Sequence, residues 1–409
     1  MNILQTLRIA VRALTRNKMR SFLTTLGVII GVAAVIAMVA IGEGAKAMVE
    51  QQFASMGSNL LIILPGTTTS GGAYGGFGSM PTLTWDDLKA IRTEIPAVRY
   101  AAPALRGAAQ IISEDQNWST SVTGTTPDYF LLRDWPAAQG ALFTDSDVDG
   151  GTKVAVLGRT VADKLFGPGV NPAGRMVRIK NVPFQVVGVL VKKGQSPNGQ
   201  DYDDGVVIPR TTYSAKIQGG LQQYVAGAIL VGATSSDGTA RAQRQITALL
   251  RDRHHLQPGA DDDFSIRNLT EMASAQQQGT NTLTTLLAGI AAVSLVVGGI
   301  GIMNIMLVSV TERTREIGLR MAVGATPNNI RAQFLVEALT LSIAGGVLGT
   351  AFGLVAADQL AGSFGWPLLV RPEIVFLAVA FSAAVGVAFG FYPAHKASRL
   401  DPIEALRFE

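Results

Sequence analysis

Side chains able to do chemistry are sparse in this sequence and fall in four places. Asp201-Tyr202-Asp203-Asp204-Gly205 has the closely spaced carboxylates of a calcium loop. Its spacing is wrong, and Thr212 stands where a bidentate Glu is needed, so the run reads as a turn. His254-His255 ahead of Asp261-Asp262-Asp263 offers metal-ligand types, with a solvated loop as the simpler reading. Glu337 and Asp358 interrupt apolar segments, where a carboxylate is a functional candidate by default; partner pairing or snorkelling accounts for both. The densest charge is Thr311-Glu312-Arg313-Thr314-Arg315-Glu316-Ile317-Gly318-Leu319-Arg320, set between two apolar runs. There Glu316 and Arg320 form an i,i+4 pair and the cations anchor a helix end at lipid headgroups. A compact charged helix in that position also suits docking of a cytoplasmic partner.

Other chemistries lack their residues. The sequence has no HExxH and no Ser/His/Asp constellation, and without a Gly-Lys dipeptide it cannot form a Walker A phosphate loop. Catalytic, cofactor and metal sites are therefore not expected in this chain. Zero cysteines exclude a disulfide framework. Lys and Arg cluster beside apolar spans with no nucleic-acid motif, which argues against DNA or RNA as a partner. Mean hydropathy of +0.29 with 16% charged residues describes a mixed molecule, part in lipid and part in water.

The elements that position the charged turn are long helices. Asn268 followed by Glu271 is a capping-box start, and no proline interrupts the chain from there to Val310. One helix over that stretch reaches about 63 Å, against about 30 Å of bilayer hydrocarbon. The spacing predicts a stalk over 268–284 and a membrane span over 285–310, the latter with Gly298, Gly299 and Gly301 as packing positions. An earlier span over 22–41 carries Gly27 and Gly31 at GxxxG spacing, continues as a stalk over 42–58, and meets a helix stop at Gly57. Ahead of it, residues 1–21 hold an amphipathic helix at 3–20, rich in Arg and free of acid. The apolar run behind that helix is longer than a signal-peptide core, so a retained anchor is expected.

Residues 59–267 read as a water-soluble α+β domain. Strands are expected at Leu60–Leu64, Val98–Pro103, Ala108–Ser113, Val154–Leu157, Arg175–Ile179, Phe184–Val191, Val206–Ile208, Ala226–Val231 and Phe264–Arg267. Helices are expected at Trp85–Ile95, capped by Thr84, and at Arg159–Phe166 and Asp237–His254. The layout is a split α/β subdomain with a β-rich subdomain inserted at about 117–221, and with a Gly/Ser-rich loop at 67–81. After the coupling turn (311–326), Thr326 caps and Pro327 opens a third membrane helix over 327–360 with a Gly345, Gly349, Gly353 ridge. A loop at 361–371 leads to a fourth over 373–392, which carries Gly386 and Gly390 and is ended by Pro393; a polar tail fills 393–409. Cations flank the cytoplasmic ends, so four spans place both termini in the cytoplasm and the large domain outside the inner membrane.

Several blocks resemble MacB-type permeases of the MacB/FtsX superfamily. They are Arg16–Gly27, Gly31–Met38, Ile41–Ala45, Gly57–Leu61, Gly298–Gly318, and Tyr392-Pro393-Ala394 through Leu400–Leu406. The resemblance covers the whole sequence except that the exporter's fused nucleotide-binding domain is missing. It implies an ABC permease working in efflux, with ATP and Mg on a separate ATPase subunit. It also implies a homodimer, a membrane-fusion adaptor and an outer-membrane channel. By position, Glu312, Arg313, Arg315, Glu316 and Gly318 fall in the ATPase-coupling turn. The alternative within the superfamily is a mechanical module serving an external enzyme or lipoprotein release. The substrate is not legible.

Overall fold

The computed structural model describes residues 18–57, 59–66, 69–70, 73–74, 81–114, 116–195, 199–219, 223–364 and 372–407. Outside these lie most of the amphipathic helix expected at 3–20, most of the Gly/Ser loop at 67–81, and residues 365–371 of the expected loop. The chain divides into two compact units, Met1–Met48 with Gln277–Glu409 and Val49–Gln276.

Four helices are long and apolar enough to cross a membrane. They are α1 (Lys18–Met56), α7 (Leu269–Glu312), α9 (Pro327–Phe364) and α10 (Pro372–Ser398). The expected terminators hold the ends. Asn268 Oδ1 accepts from the amides of Thr270 (3.1 Å) and Glu271 (3.3 Å), covering orphan donors at the start of α7. Asn329 N–H reaches Thr326 Oγ1 at 3.4 Å, with Pro327 at the first helical position. Gly57 follows α1 at φ +109, where a Cβ would collide with the carbonyl of Leu132.

Between apolar helices, packing is set by how closely backbones approach. A Cβ on Gly298 would stand 2.9 Å from the carbonyl carbon of Gly27, so α1 and α7 touch backbone to backbone; Gly31 faces Leu295. Gly345, Gly349 and Gly353 put one face of α9 on α1, against Val28, Ile29, Val32 and Ala33. Gly386 and Gly390 bring α10 onto Ser342 and Ala338 of α9, and Ser382 Oγ donates to the Ser342 carbonyl at 2.7 Å. Gly299 receives Phe389 and Val385 of α10, whereas Gly301 has no described atom within 4 Å to meet an added Cβ. Pro393 does not end α10, which continues to Ser398. Its cost to the helix is offset by Ala394 and Ala397, both fully buried in the apolar cluster of this unit.

The second unit is a mixed ten-stranded sheet ordered β12-β1-β11-β4-β5-β10-β7-β9-β6, with β8 paired to β4 and β9. β1 (Leu60–Pro65), β11 (Gly227–Ala233) and β12 (Phe264–Asn268) come from the flanking segments. β5 (Gln116–Thr125), β6 (Ala137–Gly140), β7 (Val154–Leu157), β8 (Met176–Ile179), β9 (Val182–Leu190) and β10 (Gly205–Pro209) come from the stretch between them. A small hairpin pairs β2 (Thr69–Ser70) with β3 (Ala73–Tyr74). The two strands expected at 98–113 are one, β4 (Val98–Ser113), and it joins the two groups. Pro103 does not break it, because over 98–104 the described ladders run to β11 alone. A strand paired on one side tolerates a residue with no N–H.

Successive residues face opposite layers, as a period of two requires: Val206 and Ile208 enter one core cluster and Val207 the other. Against the first lie α2 (Trp85–Glu94), α5 (Arg159–Phe166) and α6 (Thr239–Arg253); against the second lie α3 (Asp128–Leu132) and α4 (Asp145–Asp149).

His254, after α6, does not belong to a solvated loop. Its Nδ1 lies 2.7 and 2.9 Å from the Asp263 oxygens and its Nε2 3.1 Å from Asp87 Oδ2. Asp87 also accepts from Arg253 Nε at 2.7 Å and closes the Thr84 capping box. Burial opposes charge on the imidazole, but the hydrogen bonds and charges of Asp263 and Asp87 outweigh it and raise its pKa. A raised folded-state pKa gives stability that is complete below the unfolded value of about 6.5 and is lost as pH rises through the folded one. Exchange-corrected amide protection in α6 and β12 should therefore fall across that window in the wild type. In His254→Gln it should be flat there. A second prediction concerns α1 and α7: Gly298→Leu forces their backbones apart and should cost about 1–3 kcal/mol or more, read as a lower unfolding midpoint in detergent.

Candidate functional site

The charged stretch between the second and third long helices is itself helical. α7 extends to Glu312, Arg313 alone interrupts it at φ −107 and ψ 14, and α8 (Thr314–Ala322) follows at once. α8 ends in a Schellman closure, in which Gly324 at φ +103 donates to the Met321 carbonyl (3.0 Å) and Ala325 to the Arg320 carbonyl (2.9 Å). Thr326 then starts α9. No long loop separates the charged helix from the spans on either side.

Three contacts brace it. Arg313 Nη1 lies 3.4 and 3.3 Å from the two oxygens of Glu337, a buried carboxylate nearly three turns into α9. Arg320 divides its guanidinium between Gln333 Oε1 (3.1 Å), also buried, and Glu316 Oε1 (2.5 Å). Gly318 faces the C-terminal helix α11 (Pro402–Arg407), where an added Cβ would stand 2.7 Å from that of Ala405, and Ile317 beside it is fully buried. The expected turn residues thus divide by surroundings. Arg313 and Gly318 face inward onto neighbouring helices, while Glu312, Arg315 and Glu316 are exposed.

Sequence reasoning overlooked part of this surface. Leu319 and Val323 are exposed apolar side chains one turn apart, and Ile403 and Leu406 are exposed on α11. An i,i+4 apolar pair on an otherwise charged helix was the available signal. Glu337, expected to be paired, has Arg313 as its partner, and Asp358 is exposed near the far end of α9. In the domain, Asp203 accepts from the amides of Lys193 (2.8 Å) and Gly194 (2.9 Å), and Asp204 from the Trp118 indole (2.8 Å). The 201–205 run is a turn that ties strands together.

Four helices long and apolar enough to cross a membrane, with a charged helix braced between the second and third and a large mixed α/β domain between the first two in sequence, are the features of a multi-span membrane protein. The MacB-like periplasmic core domain matches residues 21–249 and the FtsX-like permease C-terminal domain matches 288–402. The chain belongs to the MacB/FtsX-type ABC transporter permeases. It is 43% identical over 99% of its length to "Macrolide export ATP-binding/permease protein MacB" of Syntrophobacter fumaroxidans, and 44% identical over its whole length to the protein of that name from Azoarcus sp.. It spans 64% and 60% of those relatives' lengths. The periplasmic region of MacB from Actinobacillus actinomycetemcomitans aligns with a TM-score of 0.45 at 21% identity, over 56% of this chain and 98% of that one.

Breaking a buried ion pair from one side leaves an uncompensated charge and costs about 3–5 kcal/mol, more than removing both partners. Arg313→Gln should therefore lower the unfolding midpoint more than the Arg313→Gln, Glu337→Gln double variant. A double variant equal to the sum of the singles would show the two side chains to be independent.

Proposed function

We propose that this chain is the permease of an ATP-driven efflux system in the inner membrane, with both termini cytoplasmic and the large domain periplasmic. ATP and Mg are bound by an ABC ATPase outside residues 1–409, and ATP-driven motion reaches the periplasmic domain along α1 and α7. The observation that carries this reading is the continuity of those helices, 39 and 44 residues without a break. At 1.5 Å per residue they are about 58 and 66 Å long, roughly twice the bilayer's hydrocarbon thickness. The absence of any Gly-Lys dipeptide supports an external nucleotide site.

The exposed face of α8, with Arg315, Glu316, Leu319 and, just past its end, Val323, is the proposed ATPase contact. It mixes apolar side chains with charge, as a docking surface requires, and it is held by the Arg313, Arg320 and Gly318 contacts. A second copy of the chain completes the permease. The exposed stripe Leu283, Leu286, Ile290, Val293, Val297 and Ile300, at three- and four-residue spacing, supports a helix partner there alongside lipid. The substrates are drugs, peptides or other periplasmic molecules, in keeping with the macrolide export named for the relatives. A membrane-fusion adaptor and an outer-membrane channel complete the path.

Charge reversal at a docking surface places like charges together. Arg315→Glu and Leu319→Asp should each reduce co-purification of the ATPase at least tenfold, about 1.4 kcal/mol, while unfolding of the permease stays at its wild-type midpoint. Unchanged association in both variants would remove α8 as the contact.

A further inference from the structure

Arg133, the residue after α3, is 6% exposed, deep for a guanidinium. Its Cζ lies 4.7 Å from the ring centroid of Tyr202, 5.5 Å from that of Trp135 and 5.6 Å from that of Tyr129. Its Nη1 donates to the Tyr129 hydroxyl at 2.9 Å. None of the ion pairs among the described residues involves Arg133. Its Nε, buried, meets no acceptor among them. Ring faces compensate a buried cation in part. They cannot satisfy an in-plane N–H, and an unmet buried donor is costly.

Arg133 lines a cavity of about 60 Å³ together with Arg106, Tyr129, Trp135, Tyr202 and Asp204. Arg106 is exposed, so the cavity has a cationic side chain toward solvent as well as one at its base. Two neighbours register the positive field. Burial should raise the Tyr129 pKa, yet the charges and hydrogen bonds of Arg133 and Arg106 outweigh it and lower it. Lys193, whose Nζ donates to the Arg133 carbonyl, is held down to about 8 by burial and by the Arg133 charge.

We propose that this cavity binds the carboxylate of a small organic acid, with the Arg133 and Arg106 guanidinium groups as its cationic donors and the three aromatic rings as its walls. Arg is the side chain suited to this task, because its planar fork matches the two oxygens of a carboxylate. Asp201 and Asp204 also line the cavity. Their oxygens accept from Thr160 Oγ1 (2.7 Å), the Asp203 amide (2.9 Å) and the Trp118 indole (2.8 Å). Two acidic side chains in the lining oppose a dianion such as sulfate more than a carboxylate of single charge. Flat aromatic walls favour a planar anion with an apolar body over a tetrahedral inorganic one.

Calorimetric titration of the full chain in nanodiscs with acetate, benzoate, sulfate and phosphate tests the site, with lipid-only nanodiscs as the blank. Saturable one-site binding of benzoate and acetate is expected, at least tenfold tighter than sulfate or phosphate. Arg133→Met and Arg106→Gln should each weaken it at least tenfold. The exposed Arg106 provides a readable variant even if Arg133→Met fails to fold. No saturation by either carboxylate, tighter binding of an inorganic dianion, or unchanged binding in Arg106→Gln would overturn the proposal. The site is independent of the efflux reading, since ATPase co-purification is read at α8.

Discussion

A helix of 44 residues cannot be accommodated within a layer of hydrocarbon about 30 Å thick. Neither can one of 39, and the protein has both, on the two sides of its large domain in sequence. A backbone can leave lipid in two ways: it can break and let side chains or water take up the freed groups, or it can continue with its hydrogen bonds satisfied internally. α1 and α7 continue, through Glu43–Met56 in one and Leu269–Thr284 in the other. The apolar portions are clamped where Gly27 meets Gly298, a contact in which a Cβ would stand 3.1 Å from the facing backbone on one side and 2.9 Å on the other. Helix length, glycine contacts and the braced charged helix together meet what the proposed coupling requires, a membrane unit whose helices move together.

The same economy holds at the charged end. A flexible loop there would absorb any displacement delivered by a partner. Instead one interrupting residue, Arg313, separates α7 from α8, and its side chain is committed to Glu337. Gly318 lets α11 lie against α8, and the Schellman closure at Gly324 passes the chain into α9. Arg313 and Gly318 hold the helix from within, Arg315 and Leu319 face outward, and Glu316 does both through its contact with Arg320.

Much of this was legible in the sequence because it is local. Asn268, Gly57, Thr326-Pro327 and Thr84 mark element ends through chemistry that operates within a few residues. Glycine ridges at four-residue spacing name the packing faces, since small residues let helix backbones approach closely. What was not legible depends on distant partners. Pro103 reads as a strand break until β11 is known to be the neighbour over that part of β4. Pro393 reads as a helix end until Ala394 and Ala397 are seen to be buried. The role of Gly318 needs Ala405, and that of Arg313 needs Glu337. The cavity at Arg133 gave no signal at all, because Tyr202 and Arg106 reach it only through the sheet.

Whether the long helices work as continuous rods is best tested by breaking one outside lipid. In the proposed assembly of two copies with an ATPase, spin labels at Ser274 would be measured by pulsed electron resonance with and without ATP, in the wild type and with a Gly-Gly-Ser-Gly insertion after Gly279. The account predicts a nucleotide-dependent change in distance that disappears with the insertion while ATP hydrolysis continues. The same change in the interrupted protein would contradict it.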